Sequence, residues 1–310
     1  MIGVADLRQA VEDAVGWEQA CRRLGVPEAV AWYREQATRK DVLKALCDLA
    51  IAEPRLQSIL IGGPIPNTPG LSPLSDNGAE YAVRGGMSHA IAVARQIDEH
   101  ARDTEAGLDI LDFGCGTGRL LRPLTRYRPR DRYWGAEVNP AALDWLAEAL
   151  PFARYLPLEP TPPCPAEAAS FDVVYAWSIF THFSESAHKA WLAELYRILR
   201  PGGVLIVTIH AEARLEKYAE EERYAKMLAR NDISFTQWRA VYRERGFAFL
   251  KVYDDTASDV GADPEQFGNA FIAHDYVRAT WADFGFDVLT IEPEVIPNWQ
   301  DLVALRKRAY

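Results

Sequence analysis

Apolar residues recur at near-helical spacing through the first sixty or so positions, Val11, Val15, Leu43, Leu46, Leu49 and Ile51 among them, and predict a helical N-terminal segment. Gly25-Val26-Pro27 ends one helix and lets another start. Residues 62–78, dense in Gly, Pro, Ser and Asn, predict a linker, so the chain divides into an N-terminal segment with its linker (1–78) and a main domain (79–310). From residue 79 the pattern changes. A helix is expected over 86–102, then short apolar strands at Ile110–Phe113, Tyr133–Val138, Val173–Ala176 and Val204–Thr208, with helices over 117–127, 140–150 and 186–200 between them. Strand alternating with helix implies an α/β fold whose parallel sheet is covered on both faces. Pro123 removes a backbone donor inside the 117–127 helix, which is therefore expected to be short or kinked.

The last third departs from that alternation. Residues 211–235 are highly charged and helical, and 236–272 mix aromatic and polar residues around Gly261, Pro264 and Gly268, so 211–272 reads as an insertion. A helix over 274–284 precedes two strands, Phe286–Ile291 and Asp301–Arg306. Their connection is too short for a crossover helix and requires antiparallel pairing. Trp134, Trp145 and Trp191 fall within strand or helix patterns and are expected in the core. Trp177, Trp238, Trp299, Phe235, Tyr242, Phe267 and Phe271 are expected to line a partly aromatic pocket between the insertion and the N-terminal segment, with the insertion as its lid. The run from Glu212 to Arg230 intersperses both signs of charge and reads as a solvated helix face.

Composition narrows the function. The 310 residues carry 34 Lys+Arg against 44 Asp+Glu, a formal net charge of −10, which disfavours a nucleic-acid binder. No apolar run reaches membrane-spanning length, and the first fifteen residues lack the basic and apolar regions of a signal peptide, so the expected location is cytoplasmic. Cys21, Cys47, Cys115 and Cys164 form no CxxC pair and have no His at ligand spacing, which points to reduced thiols and no metal.

The sharpest local signal is Asp112-Phe113-Gly114-Cys115-Gly116-Thr117-Gly118-Arg119, at the end of a strand and opening a helix. Glycines there let backbone approach a ligand closely. Counted from Gly114 and Gly116, the sixth position of a dinucleotide fingerprint is Arg119, and the third glycine falls one residue early at Gly118, which weakens a nicotinamide reading. Asp112, two places before the first glycine, would repel a pyrophosphate but accept from an ammonium group. Glu137, at the end of the next strand, is placed to accept both hydroxyls of a ribose. Together they point to an adenosyl ligand without phosphates.

These residues resemble the class I S-adenosylmethionine-dependent methyltransferases. ILDFGCGTGRLL is similar to the first motif of that superfamily, GAEVNP to its second, and LRPGGVLIVT to the turn and strand closing its sheet core, over about residues 80–210. Trp145, Pro162-Pro163, FDVVYAWSIFTHFSE and AWLAELYRILRPGG are similar to a bacterial branch acting on small metabolites or glycans. The resemblance implies a Rossmann-like, seven-stranded, mostly parallel sheet with a C-terminal antiparallel hairpin, and S-adenosylmethionine as cofactor. It implies that Asp112 and the loop Gly114, Cys115, Gly116 and Gly118 hold the amino-acid part, Glu137 the ribose, and Val138 or Asn139 the neighbourhood of the adenine. It further places Glu159 by the adenine amine, and Trp177 and Ser178 beside the methionine moiety. Tyr81 or Arg84, from the approach segment, is expected to cover the cofactor and contact its carboxylate.

The implied chemistry is in-line methyl transfer to a small-molecule acceptor, with a hydroxyl oxygen on a secondary metabolite or sugar ahead of a nitrogen. An alcohol needs a base, whereas a carboxylate does not. His182 and His210 fall at the carboxyl ends of predicted strands, where open α/β sheets bind ligands, and are the candidate bases. The alternative for His182 is a structural role beside the helix that starts near Ser184 or under Trp191. His89 and His274 lie on predicted helices and are expected to pack. A non-enzymatic S-adenosylmethionine-binding scaffold is the competing reading, and a homodimer is compatible with the helical N-terminus.

Overall fold

The structure is a computed structural model and describes residues 4–14, 16–25, 29–66, 81–102, 106–218, 221–251, 263 and 265–309. Most of the expected linker (67–78), Val26-Pro27, and Gly261 and Pro264 of the insertion lie outside the described residues.

Seven strands form the central sheet: β1 (Asp109–Phe113), β2 (Arg132–Glu137), β3 (Arg154–Pro157), β4 (Phe171–Ala176), β5 (Leu199–Ile209), β8 (Phe286–Ile296) and β9 (Gln300–Lys307). Their spatial order is β3-β2-β1-β4-β5-β9-β8. β1 to β5 pair parallel, whereas β9 pairs antiparallel with both β5 and β8. The sheet is thus the mostly parallel one with a terminal antiparallel hairpin that the sequence implied. β6 (Phe247–Lys251) and β7 (Gly268–Ile272) pair separately as an antiparallel ribbon. This ribbon was not foreseen, because two five-residue strands separated by a long connection carry no hairpin turn signal.

Side-chain alternation explains why the central strands read as continuous apolar runs. Ile110, Val173, Val204 and Leu302 enter one apolar cluster, while their neighbours Leu111, Val174, Leu205 and Val303 enter another on the opposite face. Helix α5 (Gly86–His100) and helix α6 (Leu121–Tyr127) cover the first face, and α8 (Glu185–Ile198), with Trp191, Leu192 and Leu195, covers the second. Helix α7 (Pro140–Ala149) follows β2 and begins at the cap Asn139, whose Oδ1 accepts from Ala141 N (3.0 Å) and Ala142 N (3.4 Å). Helix α6 starts at Leu121, four residues later than its pattern suggested. Pro123 then sits in the first turn, where its missing N–H costs no helical hydrogen bond.

The N-terminal helices α1 (Val4–Glu12), α2 (Trp17–Arg23), α3 (Ala29–Ala37) and α4 (Lys40–Ala52) add a further layer outside α5 and α6. Trp32, Tyr33, Leu46 and Cys47 belong to the same apolar cluster as Val93, Ile97 and Leu124. The Tyr33 hydroxyl donates to Met87 Sδ (3.3 Å) and Arg34 Nε to the Tyr127 carbonyl (3.0 Å). In the insertion, α9 (Glu212–Tyr218), α10 (Glu222–Arg230) and α11 (Phe235–Arg245) pack with the β6–β7 ribbon around a third cluster. The helix expected over 274–284 runs unbroken over 274–283, with an α-helical start, His274–Tyr276, that widens into a π-helical turn, Val277–Trp281. Among the described residues, no helix is long and apolar enough to cross a membrane.

Because α4 shares its core with the sheet, Leu46→Ala is expected to lower the stability of the whole chain by about 2–5 kcal/mol. Urea unfolding followed by far-UV circular dichroism should show one transition moved as a unit. A separate early transition, with the main transition unmoved, would contradict the shared core.

Candidate functional site

The chain runs outward from β1 through β2 to β3, then returns to lay β4 on the other side of β1. That reversal opens a crevice at the carboxyl ends of β1 and β4, where open α/β sheets take their ligands. Asp112 on β1 stands in register with Tyr175 on β4, and Glu137 ends β2 on the other flank.

The loop after β1 is shaped by backbone that only glycine adopts easily. Gly114, Gly116 and Gly118 have φ of 75°, 53° and 71°. A Cβ on Gly114 would lie 2.2 Å from Ile179 Cδ1, and one on Gly118 2.6 Å from Leu150 Cδ1. The loop is then tied to β2: Gly114 N and Cys115 N both donate to the Ala136 carbonyl, at 2.8 and 3.1 Å.

Glu137 completes the tie. Its Oε2 accepts from Gly116 N (2.7 Å) and its Oε1 from Val138 N (2.9 Å) and Asn139 N (3.0 Å). Burial pushes the carboxyl's pKa up, and the three backbone N–H groups oppose that shift without cancelling it. Asp112 is 3% exposed, and burial pushes its pKa up to about 8, against the Tyr175 hydroxyl and the Arg119 guanidinium and with the charge of Glu137. The site thus holds two buried carboxyls on adjacent strands, and the arginine that donates to the glycine loop, Arg122, does so from within the fold, its Nη1 bonded to the Thr117 carbonyl at 2.6 Å. That donor set suits a zwitterion and a diol better than a pyrophosphate.

Around this centre the other expected cofactor residues are placed unequally. Val138 is half-buried beside Glu137, and Asn139 is committed to capping α7. Leu158 N donates to the Glu137 carbonyl (2.9 Å), which holds the end of β3 against β2. Glu159 follows, exposed and without a hydrogen bond or ion pair among the described residues, so it sits on the rim and outside the cluster. Trp177 is buried and stacks on His89, centroids 4.6 Å apart. Ser178 has a φ of 61°; its N donates to Thr208 Oγ1 (2.7 Å) and its hydroxyl to Gln300 Oε1 (3.0 Å), joining the ends of β4, β5 and β9. Tyr81 is 38% exposed, with its ring 5.4 Å from the Arg119 guanidinium carbon. Arg84 turns away and pairs with Asp48 on α4. Arg119 and His89, absent from the expected cofactor set, belong to the site. Their one sequence signal was a basic residue where the dinucleotide fingerprint wants glycine.

The other side of the crevice is built from the loop after β4 and from His210, directly after β5. β7 docks along it as an extra strand: Gly268 N donates to the His182 carbonyl, Ala270 N to that of Thr181 and Ile272 N to that of His210, each at 2.8 Å. Phe267 stacks on His182 at 4.9 Å and 13°. His182 Nδ1 lies 2.9 Å from the Gly268 carbonyl, which can only accept, so Nδ1 carries the proton and Nε2 keeps its lone pair. Burial lowers the pKa of His182 and holds the ring neutral. His210 is 3% exposed, and its ring centroid is 6.5 Å from that of His182. Neither of its nitrogens makes a hydrogen bond among the described residues, and burial, followed by His182 and Arg214, pushes its pKa well down.

Two expectations about this side are corrected. Trp238, Tyr242 and Phe271 are 1%, 3% and 0% exposed and form the insertion's own core with Leu215 and Leu250, so they do not line an open pocket. The insertion also meets the loop after β4, with which its ribbon shares backbone hydrogen bonds, and not α1–α4, with which it shares no apolar cluster among the described residues. Phe267 and Trp299 remain at the surface of the crevice, Trp299 lying 6.3 Å from His210. Among the described residues, no group of three or more His, Cys, Asp or Glu side chains could hold a metal ion.

Comparison with known proteins agrees with this geometry. A methyltransferase-domain family profile matches residues 110–203, from β1 to the turn within β5. The malonyl-[acyl-carrier protein] O-methyltransferase of Pectobacterium atrosepticum is 34% identical over 123 residues, 37% of this chain and 44% of the relative. That of Serratia marcescens is 30% identical over 139 residues, 44% of this chain and 52% of the relative. The trans-aconitate 2-methyltransferase of Azoarcus sp. is 31% identical over 98 residues, 32% of this chain and 37% of the relative. The chain thus spans about half or less of the length of these relatives.

The buried carboxyl of Asp112 gives a pH signature. Its pKa rises from about 3.9 in an unfolded chain to about 8 in the fold, so the stability it contributes is complete below about pH 4 and is lost as pH rises toward 8. Urea unfolding without cofactor should therefore show wild type losing stability relative to Asp112→Asn between about pH 5 and 8. Parallel slopes for the two proteins would contradict the buried, neutral carboxyl.

Proposed function

We propose, for a chain that belongs to the class I S-adenosylmethionine-dependent methyltransferase superfamily and has S-adenosylmethionine as its cofactor, that it methylates a hydroxyl oxygen of a small molecule. The observation that carries the reading is the fixed tautomer of His182, a neutral imidazole whose Nε2 is free to take a proton. The residues present fit the cofactor. Glu137, already accepting from Gly116 N, has carboxylate lone pairs beyond those used by its three amides, and Asp112 is a buried acid that a neighbouring cationic amino group would hold ionised. Bound there, the cofactor supplies a sulfonium methyl group for in-line displacement by an oxygen nucleophile.

The protein's own residues account for the rest. Burial keeps His182 neutral, so its base form persists to a pH below the ordinary imidazole value of about 6.5. His182 Nε2 takes the proton of the acceptor hydroxyl, and the Gly268 carbonyl, already bonded to Nδ1–H, steadies the imidazolium that results. His210, neutral and buried alongside, adds no positive charge to oppose it. Phe267 and Trp299 give the acceptor an apolar surface that excludes water.

A second reading is favoured by the names of the relatives, whose acceptors bear carboxylates: the acceptor would be an acid and the product a methyl ester. A carboxylate needs no base, so His182 separates the two. With a hydroxyl acceptor, His182→Ala is expected to lower kcat about 10²–10⁴-fold while leaving cofactor affinity unchanged. The wild-type rate should fall on the acid side only below the ordinary imidazole range. Turnover unchanged in His182→Ala, with no acid limb, would remove the base and favour the acid acceptor.

A further inference from the structure

Arg119, directly after the last loop glycine, is 8% exposed and has no carboxylate within ion-pair distance among the described residues. Its Nη1 lies 2.7 Å from His89 Nδ1, and its guanidinium carbon lies over the Tyr81 ring. Burial first, then the guanidinium charge, pushes the His89 pKa down to about 3, so the imidazole is neutral and Nδ1 accepts. The remaining guanidinium N–H groups donate to nothing among the described residues. Trp177, stacked on the other side of His89, has a buried Nε1–H that also lacks an acceptor. This corner of the crevice therefore holds a buried cation and two sets of donors against one neutral acceptor, an arrangement that an anion with two oxygens would complete.

The position of Arg119 says which anion. Asp112 precedes the glycine loop and Arg119 follows it, so the loop is flanked by a buried acid, which an ammonium group beside it would hold ionised, and by a cation, the two close enough to influence each other. An amino acid's ammonium and carboxylate groups match that pair. Arg84, the basic residue expected for the role, is engaged with Asp48.

We propose that Arg119, oriented by His89, binds the α-carboxylate at the amino-acid end of S-adenosylmethionine, opposite the ammonium group held by Asp112. This assignment rests on the cofactor reading above and adds its residue of carboxylate recognition. The guanidinium offers a planar pair of N–H groups, and the Tyr81 ring lies 5.4 Å from its carbon. His89 is a positioning residue: it holds the fork through a single acceptor without neutralising its charge.

The test is calorimetric titration of wild type, Arg119→Met and Arg119→Lys with S-adenosylhomocysteine and with 5′-methylthioadenosine, which lacks the amino-acid end. Wild type should bind both. Arg119→Met should weaken S-adenosylhomocysteine about thirtyfold or more and leave 5′-methylthioadenosine within about twofold. Arg119→Lys should fall between, because it keeps the charge and loses the fork. It decides by the same ratio if the Met variant does not fold. Equal losses for the two ligands, or no loss for either, would overturn the assignment while leaving the cofactor reading in place. A wild-type protein that binds neither nucleoside would overturn both.

Discussion

The hydrogen bonds from Gly116, Val138 and Asn139 to the Glu137 carboxylate are the contacts on which the site's shape depends. They bind the loop after β1 to the end of β2 and the start of α7, so that one side chain fixes three pieces of backbone. Only a carboxylate at a strand end can accept from all three while keeping lone pairs for a ligand. Burial raises its pKa, and this is the cost of having the group in place before the ligand arrives. The paired backbone bonds from Gly114 and Cys115 to Ala136 reinforce the same seam.

From that seam the two halves of the crevice differ in kind. The cofactor half is made of strand ends, a glycine turn and the stacked rings of His89 and Trp177. Secondary structure also organises the acceptor half, but from a distant part of the chain: β7 adds itself to the loop after β4 and fixes the orientation of His182. The tautomer of His182, set by the Gly268 carbonyl, depends on that ribbon staying docked. The insertion's aromatic residues, packed around Trp238 and Phe271, hold that ribbon in place.

Much of this was legible in the sequence, for physical reasons. β1, β4 and the middle of β5 are buried on both faces and read as apolar runs. The hairpin of β8 and β9 followed from a connection too short for anything else. Asp112, the glycines and Glu137 were legible because strand, turn and acid follow one another within a single unit of chain. The Arg119–His89 contact was not, because it spans thirty positions and His89 sits on a helix where a packing residue would look the same. The direction of Trp238, Tyr242 and Phe271 was hidden for a related reason: aromatic content marks a core or a pocket equally, and only the third cluster decides between them. The start of α6 shifted because three positive-φ glycines delay the helix until Pro123 falls in its first turn.

An adenosyl amino acid, and not a phosphate-bearing nucleotide, is the ligand that the buried carboxyls of Asp112 and Glu137 suit. Calorimetric titration of the wild-type chain with S-adenosylhomocysteine and with NAD tests it most directly. One site per chain for S-adenosylhomocysteine, with no heat from NAD under the same conditions, is the predicted result. Saturable binding of NAD without binding of S-adenosylhomocysteine would contradict it.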